Sequence, residues 1–219
     1  MTEMIVGRSL SKEYRTLVDR VQVFENMEVT IARGSMVALV GESGRGKTTL
    51  LNILSGLDRP SSGEVWFGGE RIDTLDEERL SDFRSRHVGF IFQHHYLLED
   101  FTAIENVLLP LRIGGKTIGS KEKERARELL ARVGLENRLS HYPDQLSGGE
   151  RQRVAIIRAL IHDPDVVFAD EPTGSLDRRN AEMVEHLIWD LCRSMGKTFV
   201  VATHNMELAK RCDAIINLG

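Results

Sequence analysis

Residues 36–50 read M-V-A-L-V-G-E-S-G-R-G-K-T-T-L: five apolar residues, then a glycine-rich turn, then a lysine, two threonines and a helical pattern. Glycines at 41, 44 and 46 let successive backbone N–H groups curl around an anion. Gly41, Gly46, Lys47 and Thr48 match G-x-x-x-x-G-K-[ST] at every fixed position, with Glu42, Ser43, Gly44 and Arg45 between them and Thr49 just after. In that pattern Lys47 reaches terminal phosphates, Thr48 offers a hydroxyl to Mg²⁺, and the helix points its positive end at the bound anion. A strand-to-helix turn rich in glycine needs no ligand by itself. Lysine and threonine together, directly after an apolar strand, argue for the phosphate.

Outward from this turn, V-G-F-I-F (88–92), V-V-F-A (166–169) and T-F-V-V-A-T (198–203) are short and nearly continuous apolar runs. Strands buried on both faces of a parallel sheet read this way. By contrast, V-Q-V-F-E-N-M-E-V-T-I (21–31) alternates, and E-V-W-F-G-G-E-R-I (64–72) gives a strand and a turn, so antiparallel structure is expected near the beginning. Between residues 92 and 166 the pattern turns helical. Thr102 and Glu105 form a capping box, and Ala126, Leu129, Leu130 and Val133 share one helical face, with K-E-K-E-R (121–125) as its solvated side and Glu122 paired with Arg125. No repeat, linker or low-complexity tract divides the 219 residues, so a single domain over 1–219 with an insertion is expected.

The third run, V-V-F-A-D-E, ends in two carboxylates. Alone, Asp170 and Glu171 read equally well as solvated residues at a strand end. Beside Lys47 they read as a magnesium ligand and a general base, Asp170 holding the metal and Glu171 taking a proton from the attacking water. Gln93 and His204 each follow an apolar run, and in a parallel sheet ligands bind at the carboxyl ends of strands, so Gly41, Gln93, Asp170 and His204 are expected to converge. There Gln93 would touch Mg²⁺ or the water, and His204 the terminal phosphate. A second anion signal lies at L-S-G-G-E-R-Q-R (146–153). Ser147 and Glu150 make a capping box, yet Gly148 and Gly149 occupy the first turn, each costing about 1 kcal/mol against alanine. Bare N–H groups at a helix start suit an anion that must come close.

Composition limits the alternatives. The net charge of −4 gives no global basic field, so nonspecific nucleic-acid binding is not expected. Cys192 and Cys212 lack any metal or redox spacing and are expected as neutral thiols. The first residues have no apolar signal region and no run approaches the ~18 apolar residues of a membrane span, so the expectation is a cytoplasmic chain that borrows any membrane role from a partner.

Taken in order and spacing, these motifs resemble the nucleotide-binding subunit of an ABC transporter across essentially the whole chain: Walker A (41–48), the Gln93 loop, the signature L-S-G-G-E (146–150), Walker B (166–171), the loop S-L-D (175–177) and the switch His204. The resemblance implies an α/β fold, a P-loop NTPase of RecA-like core with an N-terminal antiparallel β subdomain and an inserted α-helical subdomain at 94–157. It implies ATP and Mg²⁺, with Tyr14 stacking on adenine. It implies a head-to-tail homodimer with ATP at the interface, in which Ser147, Gly148 and Gly149 close over the phosphate held by the other copy's Lys47 and Asp177 couples the two sites. It further implies integral membrane transporter subunits as partners, and a peripheral place at the cytoplasmic face of the inner membrane.

Within the family, A-D-E-P-T-G-S-L-D, E-R-Q-R-V-A-I and F-T-A-I-E-N-V-L-L-P-L resemble the lipoprotein-releasing LolD group and its relatives MacB and FtsE, which act in efflux and cell division. Arg45, Ile157 and Asn205 depart from the commoner residues at their positions. DNA-repair and chromosome-organising ABC ATPases share the motifs but insert long coiled coils or zinc modules, and the interval from Gln93 to Leu146 is short and without heptads. Just past Gln93, Tyr96, Leu97, Leu98 and Phe101 are apolar for a loop. They read either as packing for the helical insertion or as part of a groove for a short helix of the membrane subunit.

Overall fold

Two sheets carry the chain in the computed structural model, which describes residues 2–15 and 19–219. The first is antiparallel: β1 (Glu3–Arg15) lies between β2 (Arg20–Ala32) and β4 (Ser62–Phe67), with β5 (Glu70–Arg71) at the edge. The second is parallel, in the order β6 (Val88–Ile91), β7 (Val166–Asp170), β8 (Thr198–Ala202), β3 (Met36–Val40), β9 (Ala214–Asn217). The four apolar runs are β6, β7, β8 and β3, so three of them are the inner strands of this sheet and β6 is one edge.

Their continuous apolarity has a direct physical cause, because successive side chains point to opposite faces and both faces are covered. Val37, Leu39, Val166, Phe168, Val200 and Ala202 point into a core shared with Leu50, Leu51, Ile53 and Leu54 of α1 (Lys47–Leu54) and with Ile5, Leu10, Ile31 and Val65 of the antiparallel sheet. α2 (Glu77–His87) closes that side with Leu80 and Phe83. On the other face, Met36, Val167, Ala169, Phe199 and Val201 meet α5 (Gly148–Leu160) and α6 (Arg178–Met195) through Ile156, Leu160, Val184 and Ile188. Truncating the fully buried Phe168 to alanine is expected to cost about 3–5 kcal/mol.

A separate apolar cluster joins α3 (Ala103–Ile113), α4 (Ser120–Arg132) and α5, running from Leu97 to Ile161. Ala126, Leu129, Leu130 and Val133 are all buried in it. Glu122 and Arg125 do not pair: Glu122 caps α4 by accepting the Gly119 N–H at 2.9 Å, while Arg125 reaches Asp163 at 3.4 Å. The orphan donors at a helix start outbid a solvated i,i+3 partner. α5 joins this cluster to the sheet core, with Val154 and Ile157 among the helices and Ile156 and Leu160 among the strands. α7 (Met206–Lys210) packs behind β3 and β9 and is capped by Asn205, which accepts the Glu207 N–H at 2.9 Å. Burial pushes the Cys192 and Cys212 thiols up to about 11, so both are neutral.

Candidate functional site

At the carboxyl ends of β3, β7 and β8, charged side chains from separate segments meet. Lys47, the first residue of α1, is buried and donates through Nζ to the carbonyls of Gly41 at 2.9 Å and Glu42 at 3.2 Å. The same amine stands 3.9 Å from Glu171 Oε1. Thr48 Oγ1 lies 3.1 and 3.0 Å from the two carboxylate oxygens of Asp170. Glu171 presents its other oxygen to His204 Nδ1 at 2.8 Å. Its backbone turns left-handed there, with φ of 44°, while its N–H stays bonded to Ala202 O at 2.9 Å. That conformation costs a non-glycine residue of order 1 kcal/mol or more, and it splits the adjacent carboxylates, sending Asp170 to Thr48 and Glu171 to Lys47 and His204.

Asp170 is half-buried, and desolvation raises its pKa. The hydroxyl of Thr48 opposes this, the neighbouring Glu171 charge adds to it, and Lys47 opposes it again. A carboxylate and a hydroxyl held side by side are hard oxygen donors short of charge, which fits Mg²⁺. Among the described residues no cluster of three or more His, Cys, Asp or Glu could hold a metal by itself. Magnesium does not require one, since it takes one or two protein ligands and completes its shell with phosphate oxygens and water. The loop also fits a phosphate chain: Gly44 has φ of 80°, and nothing lies within 4 Å of where its Cβ would stand. Arg45 is exposed and reaches Glu42 at 3.7 Å.

Other expected residues sit around this cluster. Tyr14 projects from β1, donates its hydroxyl to Asp58 at 2.8 Å and lies under the Lys12 amine at 4.8 Å. Gln93, just past β6, touches the loop after Walker B through its carbonyl, which accepts Ser175 Oγ at 2.9 Å. Asp177 caps α6, accepting the Asn180 N–H at 3.1 Å. Ser147 caps α5 and accepts the Glu150 N–H at 3.3 Å, and Glu150 returns a bond to the Ser147 N–H at 2.8 Å. Among the described residues no hydrogen bond or ion pair links Ser147, Gly148 or Gly149 to the Lys47 cluster. A Cβ on Gly149 would stand 2.5 Å from Asn180 Oδ1, so a side chain here would have to displace Asn180, whereas Gly148 meets only Leu176 at 3.5 Å. The sequence reading tied both glycines to an approaching anion alone.

Residues 24–174 match the ABC transporter family. The lipoprotein-releasing system ATP-binding protein LolD of Cytophaga hutchinsonii is 48% identical over 97% of this chain and 95% of its own length. Its counterpart from Idiomarina loihiensis is 46% identical over 98% of this chain and 94% of its own. A solved dimeric ATP-binding cassette in a post-hydrolysis state, bound to ADP and Pi, superposes with a TM-score of 0.88 at 37% identity, covering 98% of this chain and 94% of that one.

The chain belongs to the ABC transporter family.

It is an ATP-binding domain of that family, and its two-sheet core and helical arm are those of an ABC cassette. A groove of about 300 Å³ runs between core and arm of this cassette, away from Lys47. Val88, Phe90 and Phe92 form its floor, Leu109, Pro110 and Ile113 of α3 one wall, and Arg158, Ala159 and His162 the other. Of the loop after Gln93, Leu97 is buried in the helical cluster, so it packs rather than docks. Tyr96 and Leu98 are 64% and 44% exposed, and the Tyr96 ring stands edge-on to Phe92 at 5.5 Å.

Gln152 was not singled out from the sequence, although it is fully buried and bonded to three residues on two loops. The signal was available: it lies four residues before Ile156, on the buried stripe of α5, where a polar side chain needs partners. Asp58, the partner of both Tyr14 and Lys12, had no such signal.

Proposed function

We propose that this ABC cassette is the ATP-hydrolysing subunit of a lipoprotein-releasing transporter, working as a homodimer on integral membrane subunits at the cytoplasmic face of the inner membrane. The observation that carries the ATPase reading is the placing of Glu171 between Lys47 and His204, beside a carboxylate already held on the Walker A threonine. Identity of 46–48% over nearly the whole chain to relatives named for lipoprotein release supports the choice of cargo.

In this reading Lys47 and the N–H groups of residues 41–49 bind the phosphates, and Tyr14 takes the adenine. Thr48 and Asp170 hold Mg²⁺, joined by Gln93; when bound, the ion neutralises phosphate charge and orients the transferring group. Glu171 accepts the proton of the attacking water, a service typically worth about 10²–10⁴ in rate. His204 donates Nδ1–H to that carboxylate and, carrying a proton on Nε2 as well, would donate the second N–H to the terminal phosphate. Ser147, Gly148 and Gly149 serve the nucleotide on the opposite copy, and Asp177 lies where the two copies meet. The helical arm, 94–157, transmits the state of that interface to the groove.

The groove takes a short apolar helix from the membrane subunit. Tyr96 and Leu98 are exposed and lie three and five residues after Gln93, and Tyr96 touches the groove residues Phe92 and Arg158, so a change at the nucleotide reaches the docking surface through one loop. Tyr96→Asp and Leu98→Asp are expected to keep thermal stability within about 0.5 kcal/mol, as exposed positions do, and to keep ATP binding. Both should lose copurification with the membrane protein and its lipoprotein. Retention of full association in both variants would move the docking surface elsewhere.

A further inference from the structure

Gln152 lies inside α5, fully buried, with every polar atom of its amide engaged. Its Nε2 is 2.7 Å from the carbonyl of Pro172 and 3.3 Å from the carbonyl of Phe92, and its Oε1 meets His95 Nδ1. Two carbonyls can only accept, so the amide orientation is fixed with nitrogen toward them, and His95 carries its proton on Nδ1. The two anchored carbonyls are not arbitrary. Phe92 immediately precedes Gln93, and Pro172 immediately follows Glu171.

We propose that Gln152 is a positioning residue for ATP hydrolysis: from the helix that begins with the signature, one amide nitrogen fixes the spacing between the loop bearing Gln93 and the loop bearing Glu171. This rests on the ATPase reading above and deepens it. Two N–H bonds from one rigid helical position leave the loops no independent freedom, so Glu171 keeps its left-handed turn and its place between Lys47 and His204. Ser147 begins the same helix about 7 Å away along its axis. α5 is packed on both the arm and the sheet, so a tilt of its signature end moves the amide, and with it both loops. The geometry therefore makes the water-activating carboxylate of one site sensitive to what the signature of the same chain has grasped.

The test compares steady-state ATPase kinetics of the purified wild type with Gln152→Met, which removes all three bonds at similar volume, and Gln152→Glu, which keeps an acceptor for His95 but loses both donors. A third variant, His95→Leu, removes only the bond on the acceptor side. Both Gln152 variants are expected to lower kcat by about 10- to 100-fold, the scale of a small misplacement of a reacting group, with KM for ATP within about twofold. His95→Leu should stay within about threefold of wild type. Adding Glu171→Gln to Gln152→Met should still give an ATP-dependent dimer, since neither the phosphate loop nor the signature is touched.

A kcat within about twofold of wild type in Gln152→Met overturns the proposal. So does a loss of kcat matched by an equal rise in KM, a loss in His95→Leu as deep as in Gln152→Met, or unfolding of both Gln152 variants, which would leave the amide a folding role alone. Absence of ATPase activity in the wild type itself would overturn the ATPase reading, and this proposal with it.

Discussion

At the carboxyl ends of β3, β7 and β8 the chain partners its own charges: Lys47 with loop carbonyls and Glu171, Thr48 with Asp170, Glu171 with His204. At the start of α5 it leaves something over. Ser147 satisfies the third N–H of the helix and Glu150 reaches back to Ser147, yet among the described residues no acceptor takes the N–H of Gly148 or Gly149. A helix start with open donors and a positive dipole end suits an anion, the role proposed for it above, and nothing of the Lys47 cluster reaches it. One region has its charges partnered within a chain and the other, in the proposed dimer, is half of a site, which is why this cassette is read as needing a second copy to work.

The comparison breaks first at the complete region. Glu171→Gln should lower kcat by about 10²–10⁴, read as phosphate release, while ATP binding survives because Lys47 and the loop N–H groups remain. Lys47→Ala should lower kcat/KM by at least about 10²-fold and lose nucleotide binding in an equilibrium titration, since it removes the cation facing the phosphates. Equal effects on binding from both variants would mean that the two residues do not divide binding and proton transfer between them.

A smaller effect sharpens the electrostatic side. Asp170 has its pKa raised on folding, so its ionised form costs stability at neutral pH, and that cost disappears once pH falls below about 4, where the carboxyl is protonated both folded and unfolded. Asp170→Asn should therefore raise the thermal midpoint of the nucleotide-free protein at pH 7 while abolishing turnover. The gain should shrink toward zero as the pH is lowered through 4. A lower midpoint at pH 7 would contradict the desolvation cost assigned to Asp170.

The two regions also differed in how legibly the sequence wrote them. The phosphate loop and the strands β6, β7, β8 and β3 were readable because both-face burial leaves an uninterrupted apolar run, and Met36–Val40 has the same bounds in the fold. β1 was missed, since its register with β2 shifts repeatedly and its apolar residues fall out of strict alternation. α2 was missed because only Leu80 and Phe83 mark its buried face. Lys47, Asp170, Glu171 and His204 could be expected together because each ends or follows an apolar run. Gln152 lies inside the quoted E-R-Q-R-V-A-I stretch, but the bonds that give it a role come from residues 57 and 20 positions away. Gly149 shows the opposite limit: its pattern was visible, but its crowding by Asn180 depends on how α6 folds back.

The smallest effect lies at the incomplete region. The backbone N–H of Ser147, with Arg138 beside it, holds the Glu150 carboxyl down at about 2 from an ordinary 4.5. Glu150→Gln should cost about 1 kcal/mol at pH 7, the usual scale of a helix cap. Because the folded pKa is depressed, the wild-type advantage is whole above about 4.5 and fades as pH falls toward about 2. Chemical denaturation of both proteins at several pH values reads it directly. A difference independent of pH would remove the charge from the cap's contribution.

The shared site itself is tested most directly by light scattering on size-exclusion chromatography with Mg-ATP, using Glu171→Gln to prevent turnover. The account expects twice the monomer mass in ATP and monomer in ADP. Adding Ser147→Arg should return the protein to monomer in ATP while its affinity for nucleotide, measured on that monomer, stays within about twofold. Loss of ATP binding by the Ser147→Arg monomer, or persistence of the dimer despite the arginine, would contradict a site built from one copy's phosphate loop and the other copy's signature.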